Sequence, residues 1–167
     1  ETAQIAIEAA LTGHLVLSSL HTNDAPSALT RLCEMGMEPF LVGSALDSVL
    51  AQRLARRLCD KCKETYTPEP SVLESARFPW RPGEPLPTLY RAVGCSTCSK
   101  TGYRGRVALT EVMMMSEERE RMTVERASSV EVTKVAVEQG MITLRLDGMA
   151  KAVTGLTSIE EVLRVVV

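Results

Sequence analysis

Two C-x-x-C pairs, Cys59-Asp-Lys-Cys62 and Cys95-Ser-Thr-Cys98, have 32 residues between them and constrain this chain more than any other feature. A C-x-x-C knuckle lets two thiolates converge on one ion while nearby backbone amides support the sulfurs. Two knuckles complete a closed, tetrahedral, four-cysteine zinc site, structural rather than catalytic. The intervening loop exceeds the roughly 15–20 residues usual in a zinc ribbon. The excess costs only about 0.5 kcal/mol of loop closure, against about 10–16 kcal/mol for structural zinc. Disulfides would need an oxidising compartment, for which no targeting segment speaks. A redox dithiol would be a single pair at a strand-to-helix turn, whereas these pairs are double and sit in an irregular stretch.

That stretch, 59–105, holds six of the eight prolines and the only tryptophan, Trp80. It therefore reads as an insert without regular helix or central strand, held together by something other than a core. Gly94-Cys-Ser-Thr-Cys-Ser-Lys-Thr101 inside it mimics a phosphate-binding G-x-x-x-x-G-K-[ST] loop, with Ser99 in place of the second glycine. Two of its positions are already committed as metal ligands, and Ser99 lacks glycine's permissive backbone. Lys100 and Arg104 are placed to soften the charge of a zinc tetrathiolate. The fifth cysteine, Cys33, reads as a small buried hydrophobe within a helical pattern.

Elsewhere the chain alternates helix and strand signals. Residues 3–12 predict a helix capped by Gly13, and "HLVLSSL" (14–20) predicts a buried parallel strand. "HTNDAP" then breaks the pattern, with Asn23 or Asp24 as N-cap and Pro26 in the first turn of a helix to about Met35. Helix, strand, loop, helix within 35 residues is the grammar of a doubly wound α/β sheet. Leu46, Leu50, Leu54 and Leu58 recur every four residues and predict a helix over 41–58. Arg53, Arg56 and Arg57 line its adjoining face, either solvated and carboxylate-paired or docked to a phosphate or an acidic neighbour. "RVALTEV" (106–112) alternates like a strand. Helices follow at about 116–127, 128–139, 144–153 and from Ser158, where Ser158-x-x-Glu161 matches a capping box. The organisation expected is 1–58 as an α/β core, 59–105 as the tetracysteine insert, and 106–167 as a strand plus a helical subdomain.

The charge balance, 19 basic against 21 acidic residues, and the 4% aromatic content argue against nucleic acid as partner. No apolar run approaches the roughly 20 residues of a membrane helix. The chain does not open with Met, so further residues are expected upstream. His14 and His21, the only two histidines, bracket the predicted strand. His21 opens the loop at the strand's carboxyl end, where α/β sheets place ligands, followed by Thr22, Asn23 and Asp24. Position alone leaves open whether it senses a phosphate, orients a water or does neither.

"ETAQIAIEAALTGHLVLSSLHTNDAPSALTRL" resembles the stretch after the Walker B motif in the ATPases of type II secretion and type IV pilus assembly. Glu1-Thr2-Ala3 resembles the tail of the acidic Walker B string, and "TGHLVLSSLHTNDA" the family's histidine box. The resemblance continues through "LAQRLARRLC", both C-x-x-C pairs, "TGYRGR" and "GMITLRLDGMAKAVTGLTSIEEVLRV", leaving out about 65–90. The tetracysteine insert resembles the secretion and pilus-extension branches. One departure is Ala108-Leu109-Thr110, where relatives often carry a glycine and an aromatic.

The resemblance implies the C-terminal part of a RecA-like P-loop ATPase domain. It further implies a cytoplasmic homo-hexamer, peripheral at the inner membrane, whose ATP- and Mg2+-dependent motions act on an inner-membrane platform protein. By resemblance His21 and His14 belong to the histidine box near the γ-phosphate, and Cys59, Cys62, Cys95 and Cys98 hold the zinc. No P-loop occurs in the sequence, so the chain alone is expected to be inactive. Two other readings remain: a free-standing zinc-ribbon module that binds protein or nucleic acid, and a docking platform derived from an ATPase.

Overall fold

The computed structural model describes residues 1–166. The chain divides into two compact units, one built from Glu1–Ala51 and Glu111–Ile142, the other from Gln52–Thr110 and Thr143 onward. No described helix is long and apolar enough to cross a membrane.

In the first unit, α1 (Thr2–Leu11) stops where expected. Gly13 takes a left-handed φ of 95°, and the N–H groups of Gly13 and His14 close onto the carbonyls of Ala10 and Ala9. This is the Schellman arrangement that glycine makes inexpensive. Residues 14–20, expected as a buried strand, are neither helix nor strand, and Leu15 and Leu17 are 84% and 88% exposed. A strand exists only against a partner edge, and no described strand supplies one to this run. Next comes α2 (Ser27–Glu34), its first turn held by Asp24, whose Oδ1 accepts from the Ser27 N–H at 2.8 Å. Then follows α3 (Pro39–Ala45), opened by Pro39 in its first turn.

The expected helix over 41–58 is the largest departure. Only α3 is helical there, and Ser48–Leu58 forms strand β1. A four-residue leucine spacing fits one face of a helix, but four is also twice two, so it fits one face of a strand equally well. The buried residues are Ala51, Ala55 and Leu58, while Leu50 and Leu54 are exposed. Burial alternates along β1 and slips by one residue at Arg56–Arg57. That slip is what brings Leu58 inward.

β1 pairs with β4 (Tyr103–Met114). The backbone bonds Met115 N–H to Asp47 and Cys59 N–H to Gly102 run in opposite sequence order, so the pair is antiparallel. In the first unit α5 (Glu117–Val124) and α6 (Ser129–Glu138) complete the core, in which Leu29, Leu32, Val42, Met113, Val132 and Ala136 are buried. Ser128 and Glu131 form a full capping box on α6, with Glu131 reaching back to the Ser128 N–H at 2.8 Å.

The second unit holds the proline-rich stretch. Its elements are short: β2 (Glu64–Tyr66), α4 (Pro70–Ser75) and β3 (Leu89–Arg91), with β2 and β3 antiparallel in the register Thr65↔Tyr90. The six-residue α4 forms where no regular helix was expected, because Pro70 sits in its first turn, where a missing N–H costs nothing. α7 (Leu144–Val153) and α8 (Ile159–Val165) pack on β4. Gly148 lets them close, since a Cβ there would lie 2.6 Å from Val162 and 3.2 Å from Leu109. Asp147 accepts from the Thr110 N–H at 2.8 Å and pairs with Lys151, whose ammonium also donates to the Ala108 carbonyl.

The capping box expected at Ser158 forms only by half. Ser158 Oγ accepts from the Glu161 N–H at 3.3 Å, but the Glu161 carboxylate turns to Arg56. It accepts from the Arg56 N–H at 2.8 Å and from the guanidinium groups of Arg56 and Arg164. Glu161 is 1% exposed. Burial pushes its pKa up, but the hydrogen bonds from Arg164 and Arg56 outweigh that and hold it at about 2, against an ordinary 4.5. A depressed folded-state pKa stabilises fully above about pH 4.5, and that contribution is lost as pH falls toward 2. The ceiling is about 3 kcal/mol, lowered by the half-exposure of both arginines. Melting temperature should therefore fall steeply between pH 4.5 and 2, and Glu161→Gln should lower it at neutral pH while flattening that acid slope. An unchanged slope would remove Glu161 as the cause.

Candidate metal centre and histidine loop

The end of β1 delivers Cys59, and the turn after it delivers Cys62, whose N–H bonds the Cys59 carbonyl at 3.1 Å. The second knuckle is a single 3-10 turn, Ser96–Cys98, entered from Cys95 and left through Ser99 and Lys100. Ser99 and Lys100 both take left-handed φ, 52° and 61°, so Ser99 occupies a backbone region that ordinarily favours glycine. β4 begins at Tyr103, directly after the knuckle. The G-x-x-x-x-x-K-T string is thus a knuckle leading into a strand, not a loop leading into a helix.

The four sulfurs converge. All lie within 4.8 Å of one another, with Cys59–Cys95 at 4.0 Å and Cys62–Cys98 and Cys95–Cys98 at 3.8 Å. A tetrahedron with metal–sulfur bonds of about 2.3 Å has edges of about 3.8 Å, so the spacing fits a tetrathiolate ion such as zinc. All four are free thiols, as is Cys33. Backbone N–H groups of Cys95 and Gly102 point at Cys98 Sγ, each at 3.2 Å. Hydrogen bonding from the backbone at Cys95 lowers the Cys98 pKa to about 6, whereas burial pushes Cys62 up to about 12. Lys63 beside the first knuckle donates to the Gly155 carbonyl at 2.9 Å and stands 5.3 Å over the Tyr90 ring.

Two of the three arginines on the approach to the first knuckle have separate roles. Arg56 joins Glu161 and lies 4.2 Å over the Tyr103 ring, and Arg57 pairs with Asp60 at 2.8 Å. The carboxylate-paired alternative therefore holds for both.

Among the described residues neither histidine enters the metal-ligating cluster. His14 and His21 are both exposed, and His14 Nδ1 lies 3.3 Å from Thr12 Oγ1. The loop that His21 opens ends on two buried residues, Ala25 and Pro26. The Ala25 N–H is taken by Glu111 Oε1 of β4 at 2.7 Å. Sequence reasoning missed Glu111. The available signal was a glutamate on the inward phase of an alternating strand, where a charge needs a partner.

The type II/IV secretion system protein family model matches residues 1–164. The chain belongs to this family. It is 48% identical over 163 residues to the type IV pilus assembly ATPase PilB of Thermus thermophilus, covering 98% of the chain and 18% of that protein. It is 47% identical to PilB of Myxococcus xanthus, covering 97% and 29%. It is also 47% identical to type II secretion system protein E of Pseudomonas aeruginosa, covering 99% and 32%. The chain thus spans between about a fifth and a third of the length of these relatives.

Two glycines separate close approach from mere backbone preference. A Cβ at Gly102 (φ 76°) would lie 2.5 Å from the Ala92 Cβ, whereas at Gly105 (φ 77°) it meets nothing within 4 Å. Gly102→Ala should destabilise by about 2 kcal/mol or more and expose the knuckle to protease, and Gly105→Ala by about 1 kcal/mol. Equal losses in thermal melts of the two variants would contradict the packing described.

Proposed function

We propose that the chain is the C-terminal part of a RecA-like ATPase domain in a hexameric motor that powers type II secretion or type IV pilus assembly. The match along nearly its whole length to relatives named as such ATPases carries the reading. Residues 1–58 and 106–167 are assigned to the ATPase domain and its helical subdomain, and 59–105 to the tetracysteine insert. ATP and Mg2+ would be held chiefly by residues outside this sequence, because no phosphate-cradling loop occurs in it. The working site is proposed to lie in the cytoplasm at the inner membrane, with a platform protein as the driven partner.

Within this reading the residues divide by task. Cys59, Cys62, Cys95 and Cys98 would hold a structural zinc, which supplies a closed cross-link and no reactive position. His21, exposed at the head of a polar loop, would orient a water or sense the terminal phosphate. His14 would belong to the same box and support it.

Metal analysis should find about one zinc per chain, and Cys59→Ser or Cys95→Ser should abolish stoichiometric binding. Chelation should open 59–105 to protease while the unit containing α1, α5 and α6 stays protected. Global unfolding would show instead that the cysteine cluster supports the whole chain.

The activity is testable by grafting. Replacing the matching 163 residues of the Thermus thermophilus relative with this chain should leave a working ATPase. His21→Ala in that chimera should lower kcat by about 10²-fold. The isolated chain should turn over no ATP. A chimera without turnover, despite hexamer formation, would overturn the assignment.

A further inference from the structure

We propose that Glu111 is a positioning residue that holds the histidine loop, residues 21–26, in its working shape. The inference rests on the role proposed above for that loop, but its structural ground is separate. Glu111 lies on β4, is 4% exposed, and joins a residue 86 positions away by accepting from the Ala25 N–H at 2.7 Å. Ala25 is itself fully buried. Without Glu111 its N–H would lose this acceptor inside the core, a state folded proteins avoid.

The second hold on the loop is local. Asp24 Oδ1 accepts from the Ser27 N–H at 2.8 Å and shapes the entry into α2. Asp24 fixes the turn relative to the helix that follows it. Glu111 fixes the same turn relative to a strand far away in sequence. Of these two bonds, the one to Glu111 ties the loop to the sheet, and it acts four residues from His21.

Hydrophobic packing alone could have filled the site opposite Ala25. A carboxylate buried on a strand is costly, and its charge-assisted bond is short and directional. Such a group sets the position of a backbone more narrowly than an aliphatic side chain would. A side chain displaced by about 1 Å can cost about 10² in rate, so a tether at this distance governs where the His21 ring sits. Glu111 touches no substrate in this scheme and acts through the loop.

The test compares Glu111→Ala, which deletes the acceptor, with Glu111→Gln, which keeps an acceptor oxygen at the same reach. In the 167-residue chain, Glu111→Ala should speed exchange of the Ala25 amide by about tenfold to a hundredfold, with α6 amides unchanged and Glu111→Gln near the parent. In the chimera, Glu111→Ala should lower kcat with little change in KM for ATP, and Glu111→Gln should recover most of it. If Glu111→Ala fails to fold, Glu111→Asp, which withdraws the carboxylate by one methylene, should give the same pattern. Unchanged Ala25 exchange in a folded variant overturns the proposal. So does a parental kcat in Glu111→Ala where His21→Ala lowers it. If His21→Ala itself leaves kcat unchanged, the role assigned to the loop falls, and the exchange result alone decides whether Glu111 anchors it.

Discussion

Four sulfurs within 4.8 Å of one another set the terms for the second unit. The segment between the knuckles has two three-residue strands and one six-residue helix, with Pro68, Leu73, Ala76 and Leu89 as its buried apolar residues. Elements that short cannot offset the conformational entropy of 32 intervening residues by apolar burial alone. A closed metal cross-link would supply the difference on a scale of about 10–16 kcal/mol. The backbone amides aimed at Cys98 Sγ act in the same direction, because they favour thiolate where a cation would sit.

Away from the sulfurs, three of the tertiary pins are buried or half-buried carboxylates that accept from backbone N–H groups. Glu161 holds the Arg56 N–H, Asp147 holds the Thr110 N–H, and Glu111 holds the Ala25 N–H. Each ties a strand or loop to an element distant in sequence. The exposed pairs Arg31–Glu34 and Arg91–Glu64 do something weaker, since solvent and salt screen them. The half-formed capping box at Ser158 follows from this ranking. Two arginines and a backbone N–H offer Glu161 more than its own helix cap does.

Local signals were legible in the sequence and partner-dependent ones were not. Gly13 and Gly140 mark helix ends because only the local backbone matters there. The helices α5 to α8 follow from N-cap residues at Ser116, Ser128, Thr143 and Ser158, each accepting from the residue three positions on. The cysteine spacing named its own cluster. The helix expected over 41–58 misled because leucines four apart fit a helix face and a strand face alike, and what made Ser48–Leu58 a strand was pairing with β4. Residues 14–20 misled in the opposite sense: the run has strand composition without a described strand beside it. Glu111 stayed hidden because its partner is a backbone N–H 86 residues away.

In the loop opened by His21, burial differs sharply between the two ends. Ala25 and Pro26 are buried, and the Ala25 N–H is bonded to a buried carboxylate, so that end of the loop has a sufficient explanation in stability. His21 is exposed, and no apolar packing explains an imidazole at that position. A polar loop anchored firmly at one end and presenting a titratable ring at the other is the arrangement expected when rigidity serves a ligand rather than a core. That asymmetry is what the role proposed for His21 requires, while His14 lies beside the exposed Thr12. The second C-x-x-C knuckle is then the contrary case. Its left-handed Ser99 and Lys100 are followed at once by a strand, leaving no helix N-terminus to receive a phosphate.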